Sequence, residues 1–441
     1  MMERFGESSR WLVAFSLVAA LSFGIAACGG DDDGDNNIDS GNNSSQQNSD
    51  NGNNGDSFAR SDPSSDTANG LTSDETSAAV SDSSSSEGVA GGRFFAANSP
   101  WNTEVDGLPI DGTSTRMLDL AGERRTVREA KGKEGIETIV RRITKGLFVN
   151  TEAWAPLIVE AGTDGSELTR FVCRQQQCGS TDPKVPEEIS IPSDTTPDPR
   201  YDGWLSVIDV EAGMGYDFWR ARRQSDNSIS FQYSKAWTLD GPGFSKPISE
   251  DPVRAPGVRG SGLPLFAGVI GSEEASQGRI NHALAISVPG LARRNYVQPA
   301  SVTDGVGNGA SLPAGARIRL NANVTADDRD RTNNDGEGQK DVPLTGARRR
   351  SAESILVALR QYGAIVVDRA AVPTLYAPRG TSAQVIAGPE LSWLTLDDFE
   401  VVELPELLQD PPLSQVDLEG PGGSSIDETS STDAGASAGQ E

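Results

Sequence analysis

The feature that most limits what this chain can fold into is the composition of its two ends. Residues 29–90 are mainly Ser, Asn, Asp and Gly with almost no aromatic or branched apolar side chain, and residues 405–441 are acidic without any Lys or Arg. Such segments cannot bury enough apolar surface to offset the entropy lost on ordering. We therefore predict a disordered tether over 28–90, a single folded domain over 91–404 and a disordered tail over 405–441.

The net charge of −26 is concentrated in these two ends. Residues 29–90 hold eleven Asp and two Glu against one Arg, the tail holds eight carboxylates, and a net charge of −6 remains for residues 91–404. Because that region shows no stripe of Lys and Arg interleaved with aromatic residues, the sequence predicts no nucleic-acid partner. Acidic ends instead favour solubility.

The first 27 residues have the order of an export signal. Arg4 and Arg10 precede an apolar run from Trp11 to Ile25, and small residues follow that run. About fifteen apolar residues are too few to cross the roughly 30 Å hydrocarbon core of a bilayer comfortably. We therefore predict that residues 1–27 are a signal peptide that is removed.

The sequence Ile25-Ala26-Ala27-Cys28 resembles the lipobox of bacterial lipoproteins, in which the cysteine is acylated, by palmitate among other chains, and becomes the new N-terminus. The resemblance implies lipidation of Cys28 and a lipid anchor in a membrane of the bacterial cell envelope, with the domain outside the cytoplasm. Several acyl chains on one residue give stable anchoring. An ordinary cleaved signal followed by an incidental cysteine is the alternative.

Short apolar runs and recurrent turn residues predict the fold of the domain. Gly and Pro recur about every ten residues between these runs, which is typical of an all-β sandwich or barrel. We therefore predict a mainly β, sandwich-like or jelly-roll-like domain with one clear helix near its C-terminal end. The predicted strands include 157–159, 205–210, 228–233, 282–288, 317–320 and 364–368.

The clear helix is predicted over 351–361. Ile355, Leu356 and Leu359 fall on one face of it, and Gly363 is placed to end it. A second, shorter helix is predicted over 114–120.

Cys173 and Cys178 are the only cysteines besides Cys28. In an exported protein two such cysteines are expected to pair, and the small loop they close fixes a turn more than it stabilises the domain. A redox or metal pair would need a Cys-x-x-Cys spacing or additional ligands. Because the chain has a single histidine, we predict no metal site and no cofactor.

His282 is the only histidine in the chain and the first candidate for acid–base chemistry. If strand alternation starts at Asn281, His282 lies on the same face as Leu284 and Ile286, which is the apolar side. The alternative is a histidine buried in the core with both ring nitrogens satisfied by hydrogen bonds.

Aromatic residues and carboxylates recur together in Tyr201-Asp202-Gly203-Trp204 and in Tyr216-Asp217-Phe218-Trp219. Glycosidases use two carboxylates about 5 to 10 Å apart, and aromatic rings pack on sugar faces, so Asp202 and Asp217 join His282 as predicted catalytic residues. Aromatic side chains that simply pack the core are the alternative. The predicted substrate-binding residues are Trp101, Asn102, Trp219, Trp237 and Asn281.

Four ordered motifs are similar to a family of secreted, largely uncharacterised bacterial proteins. The resemblance covers about 94–402, departs around 325–349 where this chain has a longer charged insertion, and implies a single secreted domain without a known catalytic role. The motifs are Pro100-Trp101-Asn102-Thr103, Gly262-Leu263-Pro264-Leu265-Phe266-Ala267-Gly268, Ile280-Asn281-His282-Ala283-Leu284 and Gln361-Tyr362-Gly363-Ala364-Ile365-Val366-Val367-Asp368.

Together these features predict a membrane-tethered, extracytoplasmic lipoprotein. Export, β-rich architecture and the aromatic and carboxylate set indicate an enzyme that acts on envelope or environmental polysaccharide as a hydrolase or a lyase. A non-catalytic lipoprotein that binds glycans is one alternative, and a protein-interaction module is another. The sequence leaves the oligomeric state open and favours a polysaccharide as the ligand.

Overall fold

A computed structural model of the chain describes residues 93–129, 136–174, 178, 181–250, 256–324, 344 and 346–410, all within the compact unit Ser84–Glu441. The predicted signal peptide, the lipid site at Cys28, the tether and most of the acidic tail lie outside these residues. In the described part of the chain, no helix is both long and apolar enough to cross a bilayer.

Strands predominate among the described residues, so the predicted mainly β fold is confirmed. The strands are β1 Glu123–Glu129, β2 Ile136–Arg142, β3 Phe148–Asn150, β4 Leu157–Glu160, β5 Ser166–Cys173, β6 Glu188–Pro192, β7 Leu205–Asp209, β8 Met214–Trp219, β9 Arg222–Arg223, β10 Ile229–Phe231, β11 Tyr233–Thr238, β12 Leu284–Val288, β13 Asn295–Tyr296, β14 Arg317–Leu320, β15 Ala364–Arg369, β16 Thr374–Tyr376, β17 Phe399–Val401 and β18 Leu408–Gln409. The α-helices are α1 Ser114–Ala121, α2 Ser272–Gln277 and α3 Gly346–Gln361.

Helix α3 is the helix predicted near the C-terminal end, and it begins five residues earlier than predicted. Its early turns contain charged residues rather than an apolar face, and tertiary contacts hold them. Arg348 forms an ion pair of 2.8 Å with the buried Glu390, and Arg350 donates a hydrogen bond to the carbonyl of Ser276 on α2. The helix ends as predicted, with Gly363 at a φ of 65°.

The largest sheet has six strands in the order β17-β14-β15-β12-β16-β3. Its central strands, β12 and β15, are parallel, and both of their faces are covered. Leu284 and Ile286 face a cluster that includes α3, whereas Ala285 and Ile365 face a second cluster on the opposite side. Burial on both faces explains why these strands read as continuous apolar runs in the sequence.

Two four-stranded sheets contribute to a third cluster. Their orders are β11-β8-β7-β4 and β6-β5-β10-β9. The Phe218 ring on β8 packs against Phe171 and Phe231 of the other sheet, with centroids 4.5 and 5.1 Å away. Because successive side chains on a strand alternate, Asp217 faces away from this cluster. The predicted disulfide is confirmed at the end of β5, where Cys173 bonds Cys178.

The remaining strands form two smaller antiparallel pairs, β1 with β2 and β13 with β18. The segment 100–108 near the start of the described chain is tied to β14. The Arg317 guanidinium donates to the carbonyls of Pro100 and Tyr362. Nη1 of Arg319 lies 2.6 to 2.9 Å from three backbone carbonyl oxygens within residues 105–108. Two arginines of one strand therefore fix this segment through its backbone.

Candidate functional site

His282 is buried, with 3% of its surface exposed, and both of its ring nitrogens contact acceptors. Nδ1 lies 3.0 Å from the carbonyl oxygen of Ala283, and Nε2 lies 3.1 and 3.2 Å from the two carboxylate oxygens of Glu274. A ring that faces an acceptor at each nitrogen satisfies both of them only as the doubly protonated imidazolium. Burial disfavours that charge, but the adjacent Glu274 outweighs burial and raises the pKa of His282.

Glu274 connects this pair to the start of α2. Its carboxylate accepts a hydrogen bond of 2.7 Å from the Gly271 N–H, which would otherwise lack a partner at the beginning of the helix. Helix α2 is held in turn against α3 by Ser354, whose hydroxyl donates to the carbonyl of Ala275 at 3.3 Å. The pair of His282 and Glu274 therefore joins α2 to the approach of β12, and this geometry favours the core-histidine alternative.

Asp217 is fully buried and accepts three hydrogen bonds. The donors are the Ser206 hydroxyl at 2.5 Å, the Trp237 indole at 2.8 Å and the Leu265 N–H at 2.8 Å. Burial raises the pKa of Asp217 to about 6, although the three donors oppose this effect. The structure thus brings together Asp217 and Trp237, two of the predicted site residues. The hydrogen bond from Leu265 to the same carboxylate ties the 263–266 loop to the sheet.

Trp101 and Asn102 are also buried and bonded within the fold. The Trp101 indole donates to the carbonyl of Gly243 at 3.0 Å, and its own carbonyl accepts from the N–H of Ala283 at 2.7 Å. The Asn102 amide lies 2.8 to 3.2 Å from the three carbonyl oxygens of residues 94–96. Both side chains therefore shape the first loop of the domain.

A buried ion pair that the sequence did not predict lies close to these residues. Arg259 donates to Asp368 at 2.8 Å, and the N–H of Gly260 donates to the same carboxylate at 2.6 Å. The guanidinium lies over the rings of Trp204 and Tyr376, 5.3 and 4.8 Å from their centroids. Burial raises the pKa of Asp368, and the charge of Arg259 opposes this effect. One indication of this pair is present in the sequence, which is the carboxylate of Asp368 at the end of a predicted apolar strand.

An exposed aromatic side chain, that of Trp154, lies between β3 and β4. Trp154 is 41% exposed and has a φ of 60°, which bulky residues rarely adopt. Its ring packs edge-on against Tyr201 with a centroid distance of 4.9 Å. Backbone conformations of this kind cost free energy and are concentrated at functional sites, so the position of Trp154 indicates a role beyond packing.

Of the predicted aromatic and carboxylate set, Asp202 and Trp219 lie beside this pair. Burial raises the pKa of Asp202, against a hydrogen bond from Trp219 and the charge of Arg220. The N–H of Arg220 donates to the Asp202 carbonyl at 2.8 Å, which fixes the β8 end against this turn. We call Trp154, Tyr201 and Trp219 the aromatic surface.

Within the described part of the chain, the other predicted site residues form no hydrogen bonds with the aromatic surface. In the part of the chain described here, His282 bonds Glu274 and Ala283 rather than Asp202 or Asp217. Asn281 is exposed next to the buried His282. No group of three or more His, Cys, Asp and Glu side chains among the described residues is arranged to hold a metal ion.

Comparisons of the chain with models of known protein families, with curated protein sequences and with solved structures found no match. Function is therefore inferred from the chemistry of the site itself.

Proposed function

We propose that this chain is a membrane-tethered extracytoplasmic lipoprotein whose domain binds polysaccharide through the aromatic surface. The observation that carries the proposal is the exposed Trp154 ring, held against Tyr201 by an unfavourable backbone conformation. The export signal, the lipobox and the polar tether support the location, which is an envelope environment where polysaccharides are abundant.

The chemistry beside the aromatic surface suits a sugar. The C–H faces of a pyranose ring pack on aromatic rings, and its hydroxyls require hydrogen-bonding groups nearby. Arg200 lies over the Tyr201 ring at 5.6 Å and also bonds Asp198. The hydrogen bond from Arg200 holds the pKa of Asp198 at about 2, so this carboxylate is charged at neutral pH and accepts hydrogen bonds. Arg379 lies 3.7 Å from the same carboxylate.

Binding is favoured over catalysis because of where the predicted catalytic side chains lie. His282 and Asp217 have their hydrogen-bonding capacity used inside the fold. Asp202 is the exception, and it supports hydrolysis or lysis as the second candidate function. A general acid needs a pKa above the usual carboxyl range; burial shifts the pKa of Asp202 in that direction, and Asp202 is only partly buried beside the aromatic surface.

We also infer that the two four-stranded sheets form the sandwich predicted from the sequence. The shared cluster around Phe218, with rings contributed by both sheets, supports this arrangement. The face of β5 away from the shared cluster presents the exposed side chains of Leu168, Arg170 and Val172, while the inner face supplies rigidity.

The first test is to replace Trp154 by Ala in the full-length protein and measure migration in gels that contain a panel of envelope and plant polysaccharides. Loss of this half-exposed indole is expected to weaken binding about tenfold, because roughly 1.5 kcal/mol of apolar burial against the ligand is lost. Leu168→Ala is the matched control, since Leu168 is 69% exposed on β5 outside the aromatic surface. Equal retardation of parent and Trp154→Ala by every polymer that binds would refute the proposal.

Mass spectrometry of the same mixtures separates the two candidate functions. Shortened or unsaturated products made by the parent and lost in Asp202→Asn would establish the enzyme. Saturable binding without products would establish the binding protein.

A further inference from the structure

A group of arginines extends from the aromatic surface across the outer face of one four-stranded sheet. On β10, Ile229 and Phe231 face the shared cluster, so Ser230 between them faces outward. Arg222 on β9 is the registered partner of Ser230 and shares this outer face. Arg174, just after β5, reaches the same position because its Nε donates to the Ser230 hydroxyl at 3.1 Å.

Arg174 and Arg222 therefore meet over one strand, although 48 positions separate them in the sequence. Arg220, two residues before Arg222, adds a third positive charge. Burial lowers the pKa of Arg174, and the charges of Arg222 and Arg220 lower it further, which shows that these like charges lie close together. We call Arg174, Arg220 and Arg222 the arginine group.

Among the described residues the arginine group forms no ion pair, and the charge of Arg220 acts on the nearby carboxyl of Asp202. Arg170 is paired with Asp226 at 3.1 Å, whereas no such ion pair holds the arginine group in the described part of the chain. The Nε of Arg220 is buried and has no hydrogen-bond partner among the residues that the structure describes, and Arg220 has a φ of 52°. In a chain with a net charge of −26, three clustered cations that form no ion pair in the described residues indicate an anionic ligand.

The arginine group is continuous with the aromatic surface. The Arg220 guanidinium lies over the Trp219 ring at 4.8 Å, and the Arg220 backbone is bonded to Asp202. A single polymer chain lying along this face would pass from Trp154 and Tyr201 to Arg222. An extended ligand with both sugar rings and negative charges matches this order of groups.

We propose that the polysaccharide is anionic and that Arg174, Arg220 and Arg222 bind its carboxylates, an inference that rests on the proposed function. Guanidinium groups pair with carboxylates through two parallel hydrogen bonds, which gives both charge and orientation. The aromatic surface supplies contact with the sugar rings, and the arginine group selects charged polymers over neutral ones.

The test compares polygalacturonate with its methyl ester, which has the same backbone without the charges. Affinity of the full-length protein is measured by titration calorimetry at low and at moderate salt. We expect at least about tenfold tighter binding of polygalacturonate than of the ester, with the preference reduced by salt. Arg222→Ala is expected to weaken polygalacturonate binding about threefold to tenfold and to leave binding of the ester unchanged.

Arg116→Ala is the control, because Arg116 is an exposed arginine on α1 and its loss changes the net charge equally. Equal affinity for both polymers, or equal effects of Arg116→Ala and Arg222→Ala, would overturn the anionic ligand and leave polysaccharide binding intact. Binding of neither polymer by a protein that binds another member of the polysaccharide panel would overturn the anionic ligand alone, whereas binding to no member of the panel would overturn both proposals. Tighter binding of single-stranded DNA that is lost in Arg222→Ala would assign the group to nucleic acid instead.

Discussion

The interior around the six-stranded sheet and the outer face of the four-stranded sheets use polar side chains in opposite ways. In the interior, Glu274 with His282 and Arg259 with Asp368 satisfy one another and nearby backbone groups. On the outer face, the arginine group keeps its charge without ion pairs in the described residues. Polar groups that satisfy each other hold elements together, whereas polar groups left without partners are available to a ligand.

The largest expected effect comes from breaking the most buried pair. Replacing Asp368 by Ala leaves the Arg259 guanidinium, whose side chain is fully buried, without its carboxylate. Loss of one partner of a buried ion pair costs about 3 to 5 kcal/mol of the free energy of unfolding. Urea unfolding monitored by tryptophan fluorescence measures this. A cost below about 1 kcal/mol would show that the interior pair is no different from a surface pair.

A smaller effect, dependent on pH, is expected for His282→Gln. The pKa of His282 is raised above 6.5 in the folded protein, so its stabilising contribution is complete below that value and is lost as pH rises through the folded pKa. We expect the free energy of unfolding of the parent to exceed that of the variant by about 1 to 3 kcal/mol near pH 5.5 and by less at higher pH. Chemical unfolding of both proteins across this range is the measurement. A difference that stays constant with pH would contradict the imidazolium assignment.

The smallest effect is expected at the exposed pair on the outer face. Asp226→Ala removes the partner of Arg170, and both side chains are more than half exposed. Exposed pairs contribute about 0 to 1 kcal/mol, and salt screens them. The same urea experiment is expected to show little change. If Asp226→Ala lowered the free energy of unfolding as much as Asp368→Ala, polar pairs in the interior and on the outer face would not differ in their contribution to stability.

The elements of the fold were largely predictable because they depend on local sequence. Strand β14 has the predicted bounds, and α3 ends where Gly363 was expected to end it. The predicted strand 228–233 proved to be parts of β10 and β11, separated at Gln232. The alternation shifts by one residue at this break, because Ile229 and Phe231 face the third cluster before Gln232 and Ala236 faces it after.

The sites were predictable only in part because they depend on strand pairing. Asp202 and Trp219 were expected together, and both residues lie beside the same turn. The arginine group was not expected, because the parallel pairing of β5 with β10 creates it from residues far apart in the sequence. The partner of His282 likewise depends on how α2 folds back. The exposure of Trp154 follows from its backbone conformation, which its sequence neighbours do not indicate.

The hydrogen bonds from Arg317 and Arg319 of β14 to the segment 100–108 have a mechanical consequence. A pull applied at Arg93 does not peel away an edge strand. The load passes first to the bonds of Asn102 with residues 94–96, and then through Arg317 and Arg319 to a strand flanked on both sides within the six-stranded sheet. Several hydrogen bonds share this shear force, so the domain resists being unravelled from Arg93 onwards.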